Sequence, residues 1–367
     1  MSSTYGEILK LSIFGQSHGA AVGMTLDGIP AGLPVNYQEL QAFLKRRVPG
    51  CGSYTTERKE SDQPEFLSGI VNGFTCGAPI SAIIRNHNAH SEDYENLKDC
   101  PRPGHADYTA QIKYHGFQDV AGGGHFSGRL TAPLCIAGGL CKQWLENMGI
   151  RIGAHIVAID GVVDEPVYMD WAHPNLDAIG TDFPVLNQKA GLKMQEAIAA
   201  AKADGDSVGG LIECITTGLP AGLGEPMFGG MESKIAQIIY GIPSIKGLSF
   251  GTGFAGSYMR GSENNDQYYL DNGSVKTRKN YAGGILGGIT NGMPLVFEVA
   301  VKPTPSISKP QKSISLSSME ECELTVTGRH DPCIVPRVVP VIEAAAAIAI
   351  FDAVLLNKAN GGFTDGY

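Results

Sequence analysis

Three histidines sit in short loops of a kind that carries chemistry. They are His18 in Gly15-Gln-Ser-His-Gly19, His105 in Arg102-Pro-Gly-His-Ala-Asp107, and His330 in Gly328-Arg-His-Asp-Pro-Cys333. Gly or Pro bounds each loop, and loops on a rigid scaffold are where catalytic side chains concentrate. Imidazole titrates near neutrality, which suits it to moving protons. Arg102, Arg329 and Asp331 lie in the same segments. Together these residues predict proton transfer to and from an anionic ligand. Any one segment alone would read equally well as a tight turn with a solvated histidine.

Positive charge recurs beside turns. Lys45-Arg46-Arg47 precedes Pro49-Gly50, and Arg129 follows the run Gly122 to Gly128 that contains His125, Phe126 and Ser127. Lys302 opens Lys302-Pro-Thr-Pro-Ser306, and Arg337 follows Pro336. Guanidinium groups grip carboxylates and phosphates through paired N–H donors. Glycine-rich turns bring backbone N–H groups close to anions. The formal net charge is −9, which argues against general nucleic-acid binding and makes local cationic clusters stand out.

The elements that must position these loops read as α+β. Ile8 to Phe14, Ala21 to Leu26, Ile80 to Ile84, Gly210 to Ile215 and Leu295 to Val301 look like strands bounded by Gly or Pro. Leu134 to Met148, Lys193 to Ala203 and Val341 to Lys358 look helical, as do the shorter Tyr37 to Arg47 and Glu232 to Tyr240. The strands cluster in hairpin-like pairs, which favours antiparallel sheets packed on a helical layer over a doubly wound fold.

An internal repeat adds to this. At a shift of 190 positions, Gly15 to Leu33 lies over Gly205 to Leu223 without a gap; Gly15, Ser17, Gly19, Gly28, Pro30, Ala31, Gly32 and Leu33 are identical. Gly69 to Ile80 then lies over Gly284 to Leu295, with Gly69, Ile70, Gly73, Thr75, Gly77 and Pro79 identical. Matches in the same order predict two half-chain repeats, about 1–190 and 191–367, related by a pseudo-two-fold axis within a single domain of 1–367. His18 faces Val208 in this alignment, so the acid–base group survives in one copy only.

The composition sets outer bounds. With 43% hydrophobic and 18% charged residues the chain has globular rather than disordered proportions. None of the eight cysteines has a metal-ligand spacing, so no metal is expected and they read as reduced, mostly buried thiols in a cytoplasmic protein. No signal peptide is visible in Met1 to Lys10. Val338 to Leu356 is apolar but interrupted by Pro340, Glu343 and Asp352, which predicts a buried helix rather than a membrane span. Gly251-Thr-Gly-Phe-Ala-Gly256 matches a dinucleotide-binding pattern, yet the residues after it start a helix poorly. The polar stretch Gly261 to Tyr281 lacks periodicity and reads as a mobile surface loop or lid.

Taken together, the motifs resemble those of chorismate synthases over essentially the whole chain. The carrying segments are Phe14-Gly-Gln-Ser-His-Gly19, Tyr54-Thr-Thr-Glu-Arg58, Arg102-Pro-Gly-His-Ala-Asp107, Gly122-Gly-Gly124, Ala282-Gly-Gly-Ile-Leu-Gly-Gly288, Lys302-Pro-Thr304 and Gly328-Arg-His-Asp-Pro-Cys333. The resemblance implies an anti-1,4 elimination of phosphate from 5-enolpyruvylshikimate 3-phosphate to give chorismate. It implies a requirement for reduced FMN without net redox change, a β–α–β sandwich and a homotetramer.

By the same resemblance His18 assists the leaving phosphate, His105 stands near the flavin ring, and Asp331 lies near flavin N5 and accepts the ring proton. Flavin contacts fall at His125, Phe126, Ser127, Pro243, Ser244, Gly287, Lys302, Pro303, Thr304, Pro305, Ser306 and Arg329. Lys302 and Arg329 are the expected partners of the FMN phosphate, and Arg47, Arg129 and Arg337 are the candidates for the substrate's anions. Two positions depart from the family pattern. Ser53 and His125 stand where many members have Arg, which puts the detailed substrate contacts and any nicotinamide contact near Arg47 in doubt. His125 would restore positive charge only below about pH 6.5.

No nicotinamide motif is convincing, so an external flavin-reducing system is expected rather than reduction by bound NADPH. Two other readings fit parts of the sequence: an oxidoreductase built around the Gly251 pattern, and a non-catalytic anion-binding protein on the same fold.

Overall fold

The computed structural model describes residues 3–48, 62–86, 97–164, 170–326 and 330–362. The chain runs through β1 (Thr4–Tyr5), β2 (Lys10–Gly15), β3 (Ala21–Asp27), α1 (Tyr37–Lys45), β4 (Glu65–Ser68), β5 (Ile70–Val71), β6 (Phe74–Thr75), β7 (Ile80–Arg85), α2 (Asp107–Lys113) and α3 (Thr131–Glu146). It continues through β8 (Arg151–Ile159), β9 (Val162–Val163), α4 (Gln188–Ala203), β10 (Gly210–Thr217), α5 (Met231–Ile239), β11 (Ile245–Phe250), α6 (Gly261–Asn264), β12 (Tyr268–Asp271) and β13 (Ser274–Thr277). Last come β14 (Ile285–Leu286), β15 (Ile289–Thr290), β16 (Leu295–Val301), β17 (Gln311–Ser315), β18 (Glu320–Leu324) and α7 (Val335–Ala359).

Two five-stranded antiparallel sheets form the body. One has the order β1-β2-β3-β7-β4, the other β9-β8-β10-β16-β11. Helices lie between them: α3 packs on β2, β3 and β7, α7 packs on β8 and β10, and the two helices pack on each other. This is the expected α+β arrangement, and each expected strand and helix is present with ends shifted by a few residues. Gly138 explains how closely the helices cross, since a Cβ there would stand 2.3 Å from Ala344 Cβ.

The apolar helix α7 is long enough to span a membrane, but 94% of its apolar window is buried inside the protein. Its two acids are paired, as buried charges must be. Glu343 takes Arg46, Lys142 and the Ala154 N–H. Burial alone would raise its pKa, but the two cations outweigh that and hold it at about 2. Asp352 accepts the N–H groups of Glu7, Ile8 and Leu9, fixing the approach to β2.

The repeated Gly-Pro segments build the same turn twice. Thr75 Oγ1 donates to the Pro30 carbonyl (2.7 Å) and accepts from Leu33 N (2.9 Å). Thr290 Oγ1 donates to the Pro220 carbonyl (2.7 Å) and accepts from Leu223 N (2.9 Å). Gly69 and Gly284, at φ 86° and 82°, each press on the following strand. A Cβ would lie 2.6 Å from Ile80 Cα in one and 2.4 Å from the Pro294 carbonyl oxygen in the other.

One expectation is corrected. Gly261 to Tyr281 is ordered structure, comprising α6 and the β12–β13 hairpin, not a structureless loop. Asn272-Gly273 turns that hairpin with both residues at positive φ, the backbone that a two-residue primed turn demands. The Asp266 carboxylate then accepts from Tyr281 N and Ala282 N, both at 2.9 Å.

Candidate active site

The three histidine loops meet at one cavity of about 1240 Å³, lined by His18, His105, His330 and Asp331. Ordinary ligand pockets measure roughly 300–1,000 Å³, so this one has room for two ligands side by side.

Glycines at Gly122 and Gly123 bring two of the histidines together. Both have positive φ, 61° and 82°. A Cβ on Gly122 would stand 2.6 Å from His18 Cδ2 and Nε2, and one on Gly123 would stand 3.2 Å from His105 Nε2. The glycine run therefore lies against both rings, and Ser17 N donates to the Gly124 carbonyl (3.0 Å), pinning the His18 loop to it. Gly122→Ala is expected to displace the His18 ring and lower kcat about 100-fold, the scale of an ångström-sized misplacement. Steady-state kinetics on a variant of native circular dichroism checks it; an unchanged kcat would mean that His18 placement does not matter.

His105 is one member of a dyad. Its Nδ1 is 2.5 Å from Asp107 Oδ1. An ionised carboxylate only accepts, so Nδ1 carries the proton and Nε2 is left to exchange one. Arg102 holds the same carboxylate through Nε (2.7 Å) and its backbone N (3.0 Å). Burial would raise the Asp107 pKa, but hydrogen bonds from Arg102 and His105 outweigh it and hold the carboxylate well below its usual range. Arg102 also donates to Ser306 Oγ (3.1 Å), joining this loop to the Lys302 segment.

The three candidate anion-binding arginines all line the cavity, and acids hold each of them. Asp62, 1% exposed, receives both Arg47 and Arg129. Burial opposes ionisation of Asp62, yet the two guanidinium groups win and lower its pKa. Arg337 pairs with Asp331 and donates from Nε to the Arg47 carbonyl (2.9 Å). Lys302 donates to the Gly104 carbonyl, and Lys246 on β11 lines the same cavity. Burial first, then the charge of Lys246, lowers the Lys302 pKa.

His125, Phe126, Ser127, Pro243, Ser244, Thr304, Pro305 and Ser306 also line the cavity. Phe126 stands 6.3 Å from Tyr114, ring to ring. His125 Nδ1 is 2.9 Å from the Gly15 carbonyl, to which it donates, and Nε2 is 2.9 Å from Ser3 Oγ. The ring thus clasps the N-terminal segment.

Other expected residues are not brought to the cavity. Pro303 does not line it, though both neighbours do. Gly287 lies at the turn between β14 and β15, where the Gly288 carbonyl accepts from Met231 N at the start of α5. The cavity touches Gln237 and Ile238 at the far end of that helix, and Gly287 does not line it. Arg329, Ser53 and Tyr54 to Arg58 lie outside the described residues. The Gly251 pattern is followed by a 3-10 turn over Gly253–Tyr258 rather than an α-helix, so its dinucleotide-binding context is missing.

The roles of Asp62 and Asp107 escaped sequence reasoning. Asp107 stood inside a recognised motif without an assigned partner. Asp62 ends the charged run Glu57-Arg-Lys-Glu-Ser-Asp62, which looks solvated and gave no signal.

The comparisons with known proteins agree with this geometry. The family profile described as chorismate synthase matches residues 9–355. A chorismate synthase of Korarchaeum cryptofilum is 45% identical over 351 residues, covering 96% of this chain and 97% of that one. One from Methanothermobacter thermautotrophicus is 46% identical, covering 95% and 92%. A chorismate synthase crystal structure superposes with a TM-score of 0.76 at 29% identity, covering 97% of this chain and 94% of that one. A match of this length and identity, on a fold that also superposes, places the chain in the chorismate synthase family.

Proposed function

We propose that this protein converts 5-enolpyruvylshikimate 3-phosphate to chorismate by anti-1,4 elimination of phosphate, with reduced FMN bound beside the substrate. The observation that carries this reading is the convergence of His18, His105, Asp331 and three arginines on one cavity.

The residues present fit both ligands. The cavity exceeds a single-ligand volume, Tyr114 and Phe126 offer an aromatic wall, and Lys246 and Lys302 add positive charge. FMN would be held by His125 to Ser127, Pro243, Ser244, Lys302, Thr304, Pro305, Ser306 and Arg329, with Lys302 and Arg329 on its phosphate. Reduced flavin supplies electron density to the allylic system without net oxidation.

The chain's own residues supply the rest. Arg47 and Arg129, held by Asp62, clamp the substrate's anions. His18 protonates or hydrogen-bonds the departing phosphate, which lowers the cost of the charge it carries away. His105 keeps a proton-exchanging Nε2 in the cavity because Asp107 holds Nδ1–H. Asp331 is engaged by Arg337. A substrate carboxylate that attracts Arg337 frees Asp331 to accept the ring proton.

The reading extends to assembly and ancestry. Gly287 lies off the cavity of its own chain, so a second copy that brought its own Gly287 here would complete the flavin contacts, in keeping with a homotetramer. The matching strand orders and the twin Thr75 and Thr290 turns support a β–α–β sandwich arisen by duplication of a half-chain. We infer a cytoplasmic enzyme whose flavin is reduced by a separate system. Purified protein with 5-enolpyruvylshikimate 3-phosphate should release phosphate when FMN is chemically reduced and none when it is oxidised; release without reduced flavin would contradict the assignment.

A further inference from the structure

We infer that Cys100 and Cys322 form a dithiol that hydroperoxides oxidise to an intramolecular disulfide, fastening the β17–β18 hairpin to the Arg102–Asp107 wall of the cavity. Their sulfur atoms lie 2.7 Å apart although the residues are 222 positions apart in sequence. Both thiols are half-buried, so a small oxidant can reach them. The other described cysteines differ: Cys135, Cys141, Cys214 and Cys333 are buried and Cys76 is exposed.

The backbone around the pair is already fixed on both sides. Cys322 on β18 faces Ser313 on β17, and Ser313 Oγ donates to the Pro101 carbonyl (2.6 Å). On the other side of Cys100, the Asp99 carboxylate accepts from Ser315 Oγ (2.7 Å) and Ser317 N (2.8 Å). Leu97, Leu324 and Val326 form a small separate core beneath, and Cys100 packs on it. Disulfides are strained when their backbones must move to meet; here the two segments are held together before the bond forms.

The position gives the bond a consequence. The Cys100 side leads within two residues to Arg102, which holds the Asp107–His105 dyad. The hairpin joins Lys302–Ser306 to His330 and Asp331, so both arms of the link end in cavity walls. The hairpin's packing runs through the small core and the 97–101 segment, which makes it the element a cross-link would immobilise most.

The step balances simply. One thiol gives its proton to solvent, the thiolate attacks the peroxide oxygen, the O–O bond breaks, and the leaving alkoxide (hydroxide, from hydrogen peroxide) takes up a proton from solvent as a sulfenic acid remains. The second thiolate attacks that sulfur, the S–O bond breaks and water leaves. The sulfurs lose two electrons and the peroxide gains them. Hydrogen peroxide also forms when a reduced flavin meets dioxygen, so the adjoining cavity would be a nearby source; this source alone rests on the proposed cofactor. Contact with Cys322, then burial, pushes the Cys100 thiol up to about 11. Since thiolates react and thiols do not, closure should speed up from neutral to mildly alkaline pH.

The test uses the full-length protein, first reduced, then exposed to hydrogen peroxide and alkylated under denaturing conditions. The expected result is two fewer alkylated thiols, a Cys100–Cys322 linked peptide and no covalent dimer. Amide exchange across β17–β18 should slow by roughly tenfold or more and recover with dithiothreitol. Cys100→Ser and Cys322→Ser should each abolish the linked peptide without changing the fold. Full alkylation after peroxide, a disulfide between other cysteines, or hairpin exchange unaffected by the link would overturn the inference. None of these readouts depends on turnover, so they stand apart from the proposed reaction.

Discussion

Asp107→Asn is expected to lower kcat by about 10²–10⁴ with little change in fold. The carboxylate fixes the proton of His105 on Nδ1, 2.5 Å away, and stabilises the ring whenever it gains a second proton. An amide can present its N–H₂ to Nδ1 and so favour the other tautomer, leaving Nε2 protonated and unable to accept. It also removes the charge that anchors Arg102, whose Nε donates to the same group at 2.7 Å. The measurement is kcat at saturating substrate and reduced FMN, across pH. A kcat within a few-fold of wild type would mean that His105 moves no proton in the slow step.

Asp62→Asn is expected to act on binding more than on turnover. Asp62 is the shared partner of Arg47 and Arg129, and two guanidinium groups brought together without it repel each other. The KM for the phosphorylated substrate should rise by about tenfold or more, while kcat falls less. Removing one member of a buried ion pair typically costs about 3–5 kcal/mol, so urea unfolding should show the loss at pH 7. The sign with pH follows from the lowered pKa of Asp62. Its contribution is full above the unfolded value of about 3.9 and fades as pH falls through the lower folded value. The stability gap between wild type and variant should therefore narrow in strong acid. Equal KM and equal stability at pH 7 would remove Asp62 from the account.

The sequence was legible where local pattern decides the outcome. A long apolar run interrupted by Pro340, Glu343 and Asp352 placed α7, and the flanking Gly and Pro residues bounded β3, β7, β10 and β16. The twin turns could be seen because Gly69 and Gly284 are demanded by a positive φ, and Thr75 and Thr290 by a hydroxyl that both donates and accepts within the turn. The histidine loops were found because His between Gly or Pro is rare and chemically loud.

What stayed hidden depends on contacts remote in sequence. Asp62 ends a run of charges, and nothing local in the sequence distinguishes it from the rest of that run until Arg129, 67 positions on, arrives beside it. The Asn272-Gly273 turn was overlooked in favour of the polarity around it. Gly287 was assigned by likeness, and only the fold shows that it does not line the cavity. Cys100 and Cys322 were read with the other cysteines as reduced, mostly buried thiols, because their contact exists only after the hairpin folds back.

The central claim is an elimination at this cavity with no net redox change. Anaerobic incubation of the protein with chemically reduced FMN and 5-enolpyruvylshikimate 3-phosphate, following chorismate absorbance and phosphate together, tests it most directly. The account predicts equal amounts of both products over many turnovers, with the flavin still reduced at the end. Phosphate without chorismate, or flavin oxidised in step with product, would contradict it.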